Sequence, residues 1–298
     1  MHLLIRRAIP ILSAAVILSG CTALPTPQQR IDNASHIASR QGWVPFSVRT
    51  GNLTLSGYAP EKPALNGQLR VYIEGDGLAW ISRSRPSPNP TPVNPVALNL
   101  ALADPGKNAI YLGRPCQYQS RSDCPSRYWL ERRFSAEVIQ SYEQALDQLK
   151  QRYAVESYTL IGFSGGGAIA ALLAAKRTDV SFLITVAGNL DTQYWTKHHH
   201  ISPLEGSLNP RDSVPQLARV KQWHFVGSND RIIPPSMILQ FIDRFPKLSK
   251  PTIRVVPGYD HHCCWTDHWP DQLAETEQLD RKPDKKSPRV AGAEGLEP

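Results

Sequence analysis

The stretch YTLIGFSGGGAIA, residues 158–170, places a serine among glycines between two apolar runs. The run before the serine has the length and composition of a buried strand, and the alanine-rich run after it favours a helix. Gly162, Ser164 and Gly166 satisfy the pattern G-x-S-x-G where the strand becomes the helix. In that context the pattern is typical of a nucleophile elbow, a tight turn that exposes a reactive serine. We therefore predict that Ser164 is a nucleophile.

The glycines around Ser164 have a physical reason. A strained turn at the serine brings neighbouring backbone so close that side chains at the flanking positions would clash. The helix that begins at Gly165 also directs its positive N-terminal end at the region where negative charge develops in acyl transfer. We therefore predict that the amide of Gly165 stabilises an oxyanion. The alternative is a glycine-rich turn with a bystander serine.

The rest of the chain alternates between strands and helices. The runs of strand length are 45–50, 53–58, 69–75, 109–113, 157–163, 180–188, 222–227 and 252–258. The helical segments are a short one within 22–40, then 135–151, 165–177, 236–245 and about 267–279. The first two strands are expected to pair antiparallel around Gly51-Asn52. The alternation that follows predicts an α/β fold with a mostly parallel central sheet and helices on both faces.

Residues 81–105 form a predicted loop, because prolines exclude a helix interior or a central strand across most of the segment. The prolines are Pro86, Pro88, Pro90, Pro92, Pro95 and Pro105. Such a stiff segment is either a semi-rigid lid or an inert surface excursion.

A serine hydroxyl becomes a good nucleophile when a base removes its proton and an acid orients that base. Asp230 follows the apolar run 222–227, and His261 follows the run 252–258. The order Ser164, Asp230, His261 is the one found in α/β-hydrolases. On these residues the chain resembles the α/β-hydrolase superfamily.

The resemblance covers residues 45–280 and implies an α/β-hydrolase fold with a Ser-His-Asp triad that uses no cofactor. The histidine of such enzymes often follows a glycine by three positions, as His261 follows Gly258. His262 is the alternative base. Asp191, which also follows a strand, is the alternative acid, and its other interpretation is a helix cap.

The resemblance also implies an oxyanion hole built from Gly165 and from a loop after the third strand. The sequence YIEGDGLAW occupies that loop, so the second donor would be the amide of Asp76 or Gly77. Glu74 and Asp76 depart from the usual neutral H-G-G-G. An acidic side chain there would oppose a developing oxyanion unless it is turned away or paired. The candidate partners are Arg83, Arg85 and Arg114.

The N-terminus predicts export. Arg6 and Arg7 precede an apolar run that is too short to span a bilayer, which is typical of a signal peptide over residues 1–20. Leu18-Ser19-Gly20-Cys21 resembles a bacterial lipobox, which implies a lipid on Cys21 and a location in the cell envelope. Thr22 instead of aspartate favours the outer membrane, facing the periplasm. A plain secretory signal is the alternative. Residues 21–44 would form the lipidated tether and a short helix.

Four cysteines remain after Cys21, an even number for a compartment where disulfides form. Cys116 and Cys124 flank a short polar loop, so they are the candidate disulfide. Cys263 and Cys264 are adjacent and form either a vicinal disulfide or two thiols.

Charge and the remaining motifs exclude other classes of function. The net charge of +7 leaves +3 once Arg6, Arg7 and the tail 281–298 are set aside, and no basic stripe points to nucleic acid. The tail is charged and rich in proline and glycine, so we predict that it is disordered. The histidine run 197–200 lies in a predicted loop, and neither it nor HHCCWTDH, residues 261–268, has the spacing of a metal site.

These observations predict an envelope-anchored serine hydrolase that cleaves an ester or related acyl bond of a small-molecule or lipid-like substrate. A peptidase or thioesterase would use the same machinery. A non-catalytic envelope lipoprotein is the other alternative, and the acidic EGDG loop is its best support.

Overall fold

The computed structural model describes residues 24–62, 67–119 and 124–280. The predicted signal peptide, Cys21 and the predicted tail 281–298 lie outside the described residues. The strands are β1 (Trp43–Thr50), β2 (Leu53–Pro60), β3 (Gln68–Ile73), β4 (Trp80–Ser82), β5 (Arg85–Pro86), β6 (Ala109–Leu112), β7 (Ser157–Phe163), β8 (Val180–Val186), β9 (Lys221–Gly227) and β10 (Thr252–Val256). The helices are α1 (Pro27–Ser39), α2 (Val96–Ala103), α3 (Ala136–Tyr153), α4 (Gly165–Lys176), α5 (Thr192–His198), α6 (Val214–Leu217), α7 (Pro235–Ile242) and α8 (Trp269–Asp280). Short 3₁₀ turns occur at Ser126–Tyr128, Pro210–Ser213 and Lys247–Ser249.

Eight strands form one sheet in the order β1-β2-β6-β3-β7-β8-β9-β10, while β4 and β5 form a separate hairpin. The β1-β2 and β2-β6 pairs are antiparallel, and every later pair is parallel. This confirms the predicted opening pair around Gly51-Asn52 and the mostly parallel sheet. Because parallel strands end at one edge, the residues that follow β3, β7, β9 and β10 meet there.

Each central strand sends alternate side chains to opposite faces of the sheet. In β3, Leu69, Val71 and Ile73 join a core with α3, α4 and α7, whereas Tyr72 joins a second core with α1, α2 and α8. Helices therefore cover both faces, as predicted. Because both faces are buried, the central strands are apolar on both sides.

The prediction of a loop over 81–105 is wrong at its C-terminal end, where α2 forms. Residues 96–103, VALNLALA, contain no proline and consist mainly of Ala and Leu, which favour helix. Most of their side chains are buried against the sheet, including Leu98 and Leu100. Ser87 and residues 90–92 are also buried, so the exposed part of the segment is concentrated in 82–86. Most of the segment 81–105 therefore packs against the rest of the domain.

The short helix predicted within 22–40 is confirmed as α1, and it packs on the domain. Ala34 and Ala38 are buried in the same core as α2. Arg30 is also buried, and its Nη1 donates to the carbonyls of Asn89, at 3.3 Å, and of Thr91. The first helix therefore contacts both the sheet and the proline-rich segment.

Two disulfides are present. Cys116 and Cys124 are bonded, which confirms the predicted pair. Cys263 and Cys264 are bonded to each other across a cis peptide bond, which decides between the two states that the sequence left open. The second disulfide lies two residues after His261.

The placement of the histidine run 197–200 in a loop is wrong for its first two residues, which complete α5. The rings of His198 and His199 lie 6.1 and 5.5 Å from those of Tyr194 and Trp195, and such contacts one turn apart stabilise a helix end. Among the described residues, no group of three or more His, Cys, Asp and Glu could hold a metal ion. No helix in this part of the chain is long and apolar enough to cross a bilayer.

The assignment of α2 to the core predicts that Leu98→Ala lowers the free energy of unfolding by about 2–4 kcal/mol, because Leu98 is fully buried and its truncation leaves a cavity. Urea denaturation measures the loss. The half-buried neighbour Asn99 is the control, since Asn99→Ala removes no core contact and should change stability by less than about 1 kcal/mol. Equal losses in the two variants would contradict the assignment.

Candidate active site

Ser164 lies in the sharp bend between β7 and α4. Its φ of +50° and ψ of −119° are rare for a residue with a side chain. Its backbone N–H donates to the carbonyl of Val186 at 3.0 Å, and its own carbonyl accepts from the amides of Gly167 and Asn189 at 2.9 and 3.0 Å. These bonds hold the bend against β8 and the first turn of α4.

The two motif glycines allow the backbone on either side of Ser164 to approach closely. A Cβ at Gly162 would overlap the carbonyl of Gly166. A Cβ at Gly166 would overlap the carbonyls of Ile73 and Glu74 at the end of β3. The predicted clash is thus present at both positions, and it also brings the end of β3 against the bend.

His261 follows β10 and Asp230 follows β9, and the fold brings both side chains to Ser164. His261 Nε2 is 3.0 Å from Ser164 Oγ, and His261 Nδ1 is 2.9 Å from Asp230 Oδ2. Asp230 Oδ1 accepts the amides of Ile232 and Ile233, both at 2.8 Å. Because an ionised carboxylate only accepts hydrogen bonds, Nδ1 carries the ring proton and Nε2 can accept the serine hydroxyl.

Besides the bond between Asp230 and His261, four hydrogen bonds join the loops that carry them, one of them from Asn229 Nδ2 to the carbonyl of Gly258 at 3.4 Å. The amides of Ser228 and Asn229 donate to the carbonyls of Val256 and Tyr259, at 3.0 and 2.8 Å. The amide of Gly258 donates to Ser228 Oγ at 2.9 Å. These bonds fix the position of Asp230 relative to His261.

The two alternative residues have other partners. Asp191 caps α5 by accepting the amide of Tyr194 at 3.0 Å, and its second oxygen is 3.4 Å from Arg211 Nη1. The ring of His262 packs 6.3 Å from that of Phe163, and no described residue hydrogen-bonds to it. Its pKa is lowered, first by burial and then by the neighbouring His261. Neither alternative makes a hydrogen bond within the Ser164-His261-Asp230 group.

The predicted oxyanion donors lie where β3 and β7 end side by side. Within the described residues, the amides of Gly165, Asp76 and Gly77 donate no hydrogen bond. Gly77 has a φ of +64°, and a Cβ there would overlap the carbonyl of Pro90. A Cβ at Gly165 would overlap Asp76 Oδ1. Both glycines are therefore required by close packing of this loop.

Asp76 is paired with two arginines. Its Oδ1 accepts Arg114 Nη1 at 2.9 Å, and its Oδ2 accepts Arg133 Nη1 at 2.5 Å. Burial alone would raise the pKa of Asp76, but Arg133 and Arg114 outweigh it and lower the pKa. The pairing with Arg114 was among the predicted options, whereas Arg83 and Arg85 are exposed in the β4-β5 hairpin.

Glu74 is fully buried and hydrogen-bonded at the end of β3. Its Oε1 accepts the amides of Gly75 and Ala97 at 2.8 and 3.4 Å, and its Oε2 accepts the Tyr111 hydroxyl at 3.1 Å. Burial raises the pKa of Glu74 to about 7, although these hydrogen bonds oppose the shift. Residues 74–79, between β3 and β4, are called the oxyanion loop below. Glu74 joins this loop to the first turn of α2.

Two residues that hold this loop were not predicted from the sequence. Arg133 binds Asp76, which lies 57 positions earlier in the chain. Gln117 Nε2 donates to the carbonyls of Gly75 and Pro90 at 3.1 and 3.3 Å. No motif marks either residue, because both act through contacts between distant parts of the chain.

Residues 104–261 match the family model described as Serine hydrolase (FSH1). The match covers slightly more than half of the 298 residues. It includes Ser164, Asp230 and His261, whereas Glu74 and Asp76 precede it. A search of curated proteins found no significant match to this chain.

Solved structures with similar folds cover most of the chain. Est1E from Butyrivibrio proteoclasticus has a TM-score of 0.54 and 12% identity, over 78% of this chain and 99% of that one. The Pyrococcus furiosus esterase Pf2001 has a TM-score of 0.57 and 13% identity, over 80% and 92%. XC6422 from Xanthomonas campestris, an a/b serine hydrolase without lid, has a TM-score of 0.53 and 12% identity, over 81% and 97%. With the observed sheet, these likenesses confirm the α/β-hydrolase fold.

The raised pKa of Glu74 predicts a pH-dependent stability. The folded state holds this proton up to about pH 7, whereas the ordinary glutamate value is 4.5. Stability from the protonated form is therefore present below pH 4.5 and is lost as the pH rises through 7. Between pH 5 and pH 8, the free energy of unfolding of the wild type should fall by about 2–3 kcal/mol relative to that of Glu74→Gln.

Urea denaturation of the two proteins at several pH values measures this difference. The matched control is Glu131→Gln, which removes an exposed carboxyl group. Its stability should follow that of the wild type across the pH range. Parallel curves for the wild type and Glu74→Gln would show that Glu74 does not titrate in this window.

Proposed function

Because the chain belongs to the Serine hydrolase (FSH1) family, we propose that it hydrolyses carboxylic esters through a covalent acyl-enzyme on Ser164. The observation that carries the proposal is the hydrogen-bonded arrangement of Ser164, His261 and Asp230 beside amides that bind no other group among the residues that the structure describes. The structural neighbour Pf2001 is also described as an esterase.

Acylation uses the histidine as base and then as acid. Ser164 Oγ attacks the ester carbonyl carbon while its proton passes to His261 Nε2. Asp230 Oδ2 accepts a hydrogen bond from His261 Nδ1–H without taking the proton, which stabilises the imidazolium and keeps the ring oriented. The tetrahedral intermediate then collapses, and the leaving alkoxide takes the proton from Nε2. The products of this half are an alcohol and an ester of Ser164.

Deacylation repeats the steps with water. His261 Nε2 takes a proton from the water as its oxygen attacks the acyl carbon, and the proton returns to Ser164 Oγ when the intermediate collapses. In both halves the oxyanion accepts hydrogen bonds from Gly165 and from Asp76 or Gly77. Arg114 and Arg133 offset the charge of the Asp76 carboxylate, so it does not oppose the developing oxyanion.

We propose that the enzyme works in the bacterial envelope, anchored by a lipid on Cys21 to the outer membrane and facing the periplasm. The lipobox-like Leu18-Ser19-Gly20-Cys21 supports the anchor. The Cys116-Cys124 disulfide supports an oxidising compartment. The substrate would be a small-molecule or lipid-like ester that reaches this compartment.

Labelling by a fluorophosphonate and hydrolysis of 4-nitrophenyl acetate test the triad. Ser164→Ala should abolish labelling, and His261→Ala should lower kcat by about 10⁴-fold or more, because the serine loses its base. Asp230→Asn should cause a loss of similar size through the wrong ring tautomer. A folded wild type that neither labels nor hydrolyses any ester would contradict the proposal and favour a non-catalytic lipoprotein.

The alternative residues supply matched controls. His262→Ala and Asp191→Asn remove the same chemical groups at the two positions that the sequence offered as alternatives, and both should keep kcat/KM within a few-fold of the wild type. Loss of activity in His262→Ala but not in His261→Ala would show that His262, and not His261, is the catalytic base. Thioester and peptide substrates measured alongside show whether the preferred acyl bond is an ester.

Lipidation is tested by metabolic labelling with palmitate in a bacterial host. The full chain should incorporate the label and partition into membranes, because several acyl chains together give stable anchoring. Cys21→Ala should lose both properties and keep its esterase activity. No label in the wild type would favour the plain secretory signal, and label retained by Cys21→Ala would contradict Cys21 as the lipidated residue.

A further inference from the structure

A cluster of three charged side chains lies beside the nucleophile. Asp76 Oδ1 accepts from Arg114, Asp76 Oδ2 accepts from Arg133, and a Cβ at Gly165 would overlap Asp76 Oδ1 and lie 3.0 Å from Arg114 Nη1. Asp76 and Arg114 therefore lie directly against the residue after Ser164, and Arg133 binds the other oxygen of the same Asp76 carboxylate. Any substrate bound for attack by Ser164 lies close to these charges.

The cluster carries more positive than negative charge. Two guanidinium groups face one carboxylate, and no other carboxylate of the described residues lies within ion-pair distance of either arginine. The side chains of Arg114 and Arg133 are only 3% and 6% exposed. A buried charge without a counter-ion is costly, so this region favours an anion.

The two arginines differ in the donors that remain. Arg114 Nη1 and Nη2 are used by Asp76 and by the carbonyl of Arg133, the latter at 2.5 Å. In Arg133, Nε donates to the carbonyl of Leu130 at 2.6 Å and Nη1 donates to Asp76. Arg133 Nη2 makes no hydrogen bond within the described residues. Its guanidinium carbon lies 6.0 Å from the ring centre of Trp195.

We propose that Arg133 makes this enzyme selective for esters that carry an anionic group, a carboxylate or a phosphate, near the scissile bond. The inference rests on the proposed esterase function and narrows its substrate class. Arginine suits this role because its planar fork of N–H groups matches the oxygens of such anions. Asp76 holds the guanidinium in place, and the substrate anion supplies the missing negative charge.

The experiment uses two pairs of esters that differ in charge, at constant ionic strength. The first pair places the charge on the acyl side: the 4-nitrophenyl monoester of glutarate against 4-nitrophenyl 5-methylhexanoate. The second pair places it on the alcohol side: 4-acetoxybenzoate against its methyl ester. For each pair the ratio of kcat/KM, charged to neutral, is measured after subtraction of the uncatalysed rate.

The wild type should prefer the charged member of at least one pair. A preference in the first pair places the anion on the acyl side of the substrate, and a preference in the second places it on the alcohol side. Arg133→Gln should lower that ratio by about 10- to 100-fold, the range expected for a charge-assisted hydrogen bond. Arg133→Lys keeps the positive charge but loses the planar pair of N–H donors, so its ratio should lie between those of the wild type and Arg133→Gln. The exposed neighbour Arg132 is the control, and Arg132→Gln should leave the ratio unchanged.

A ratio that is equal in the wild type and Arg133→Gln for both pairs would overturn the inference, as would a wild-type preference for the neutral member of both. A fall in kcat that is equal for charged and neutral esters would assign Arg133 to positioning of the oxyanion loop instead. Should Arg133→Gln fail to fold, competitive inhibition of the wild type decides: glutarate should inhibit and neutral glutaramide should not. The esterase proposal itself fails separately, if the wild type hydrolyses no ester faster than Ser164→Ala.

Discussion

The backbone bend at Ser164 is the constraint on which the rest of the site depends. A residue with a side chain at φ +50° is strained, so the surrounding contacts must over-determine it. They do so through close packing, because Gly162 and Gly166 have no room for a Cβ against α4 and the end of β3. That packing brings the loop after β3 against the nucleophile. One bend therefore sets the position of the serine hydroxyl, of the Gly165 amide that follows it, and of the amides of Asp76 and Gly77 in the loop after β3.

Buried charge then determines the shape of the loop after β3. Glu74 binds the amides of Gly75 and Ala97, and Asp76 binds two arginines. Buried ion pairs contribute little to stability, because desolvation offsets much of their attraction. Their effect here is geometric, since the two arginines hold the Asp76 carboxylate in one position beside Gly165. The side of the nucleophile that faces the loop after β3 is consequently polar and charged.

Local patterns predicted the sheet, because alternation of apolar runs with helical segments follows directly from burial on both faces. They also predicted the strand-to-helix bend, since only glycine tolerates such close backbone contacts. The helix α2 was missed because the prolines before it suggested a loop, although the eight residues that form it contain none. Arg133 was not predictable, because its contact with Asp76 exists only once β3 and the segment before α3 have packed together. The predictable site residues were therefore those marked by a motif or by a position just after a strand, such as Ser164, Asp230 and His261, whereas Arg133 and Gln117 carry no such mark.

The first helix connects the proposed membrane anchor to this site. Arg30 in α1 donates to the carbonyls of Asn89 and Thr91, and Pro90 between them contacts the oxyanion loop at Gly77. Six peptide units separate Cys21 from Pro27, a distance of at most about 20 Å when fully extended. A lipid on Cys21 would thus hold the α1 side of the sheet close to the bilayer. The anchored helix would contact residues 89–91 through Arg30, and Pro90 would in turn contact the oxyanion loop at Gly77. The anchor would therefore limit how far the active site can rotate away from the membrane surface.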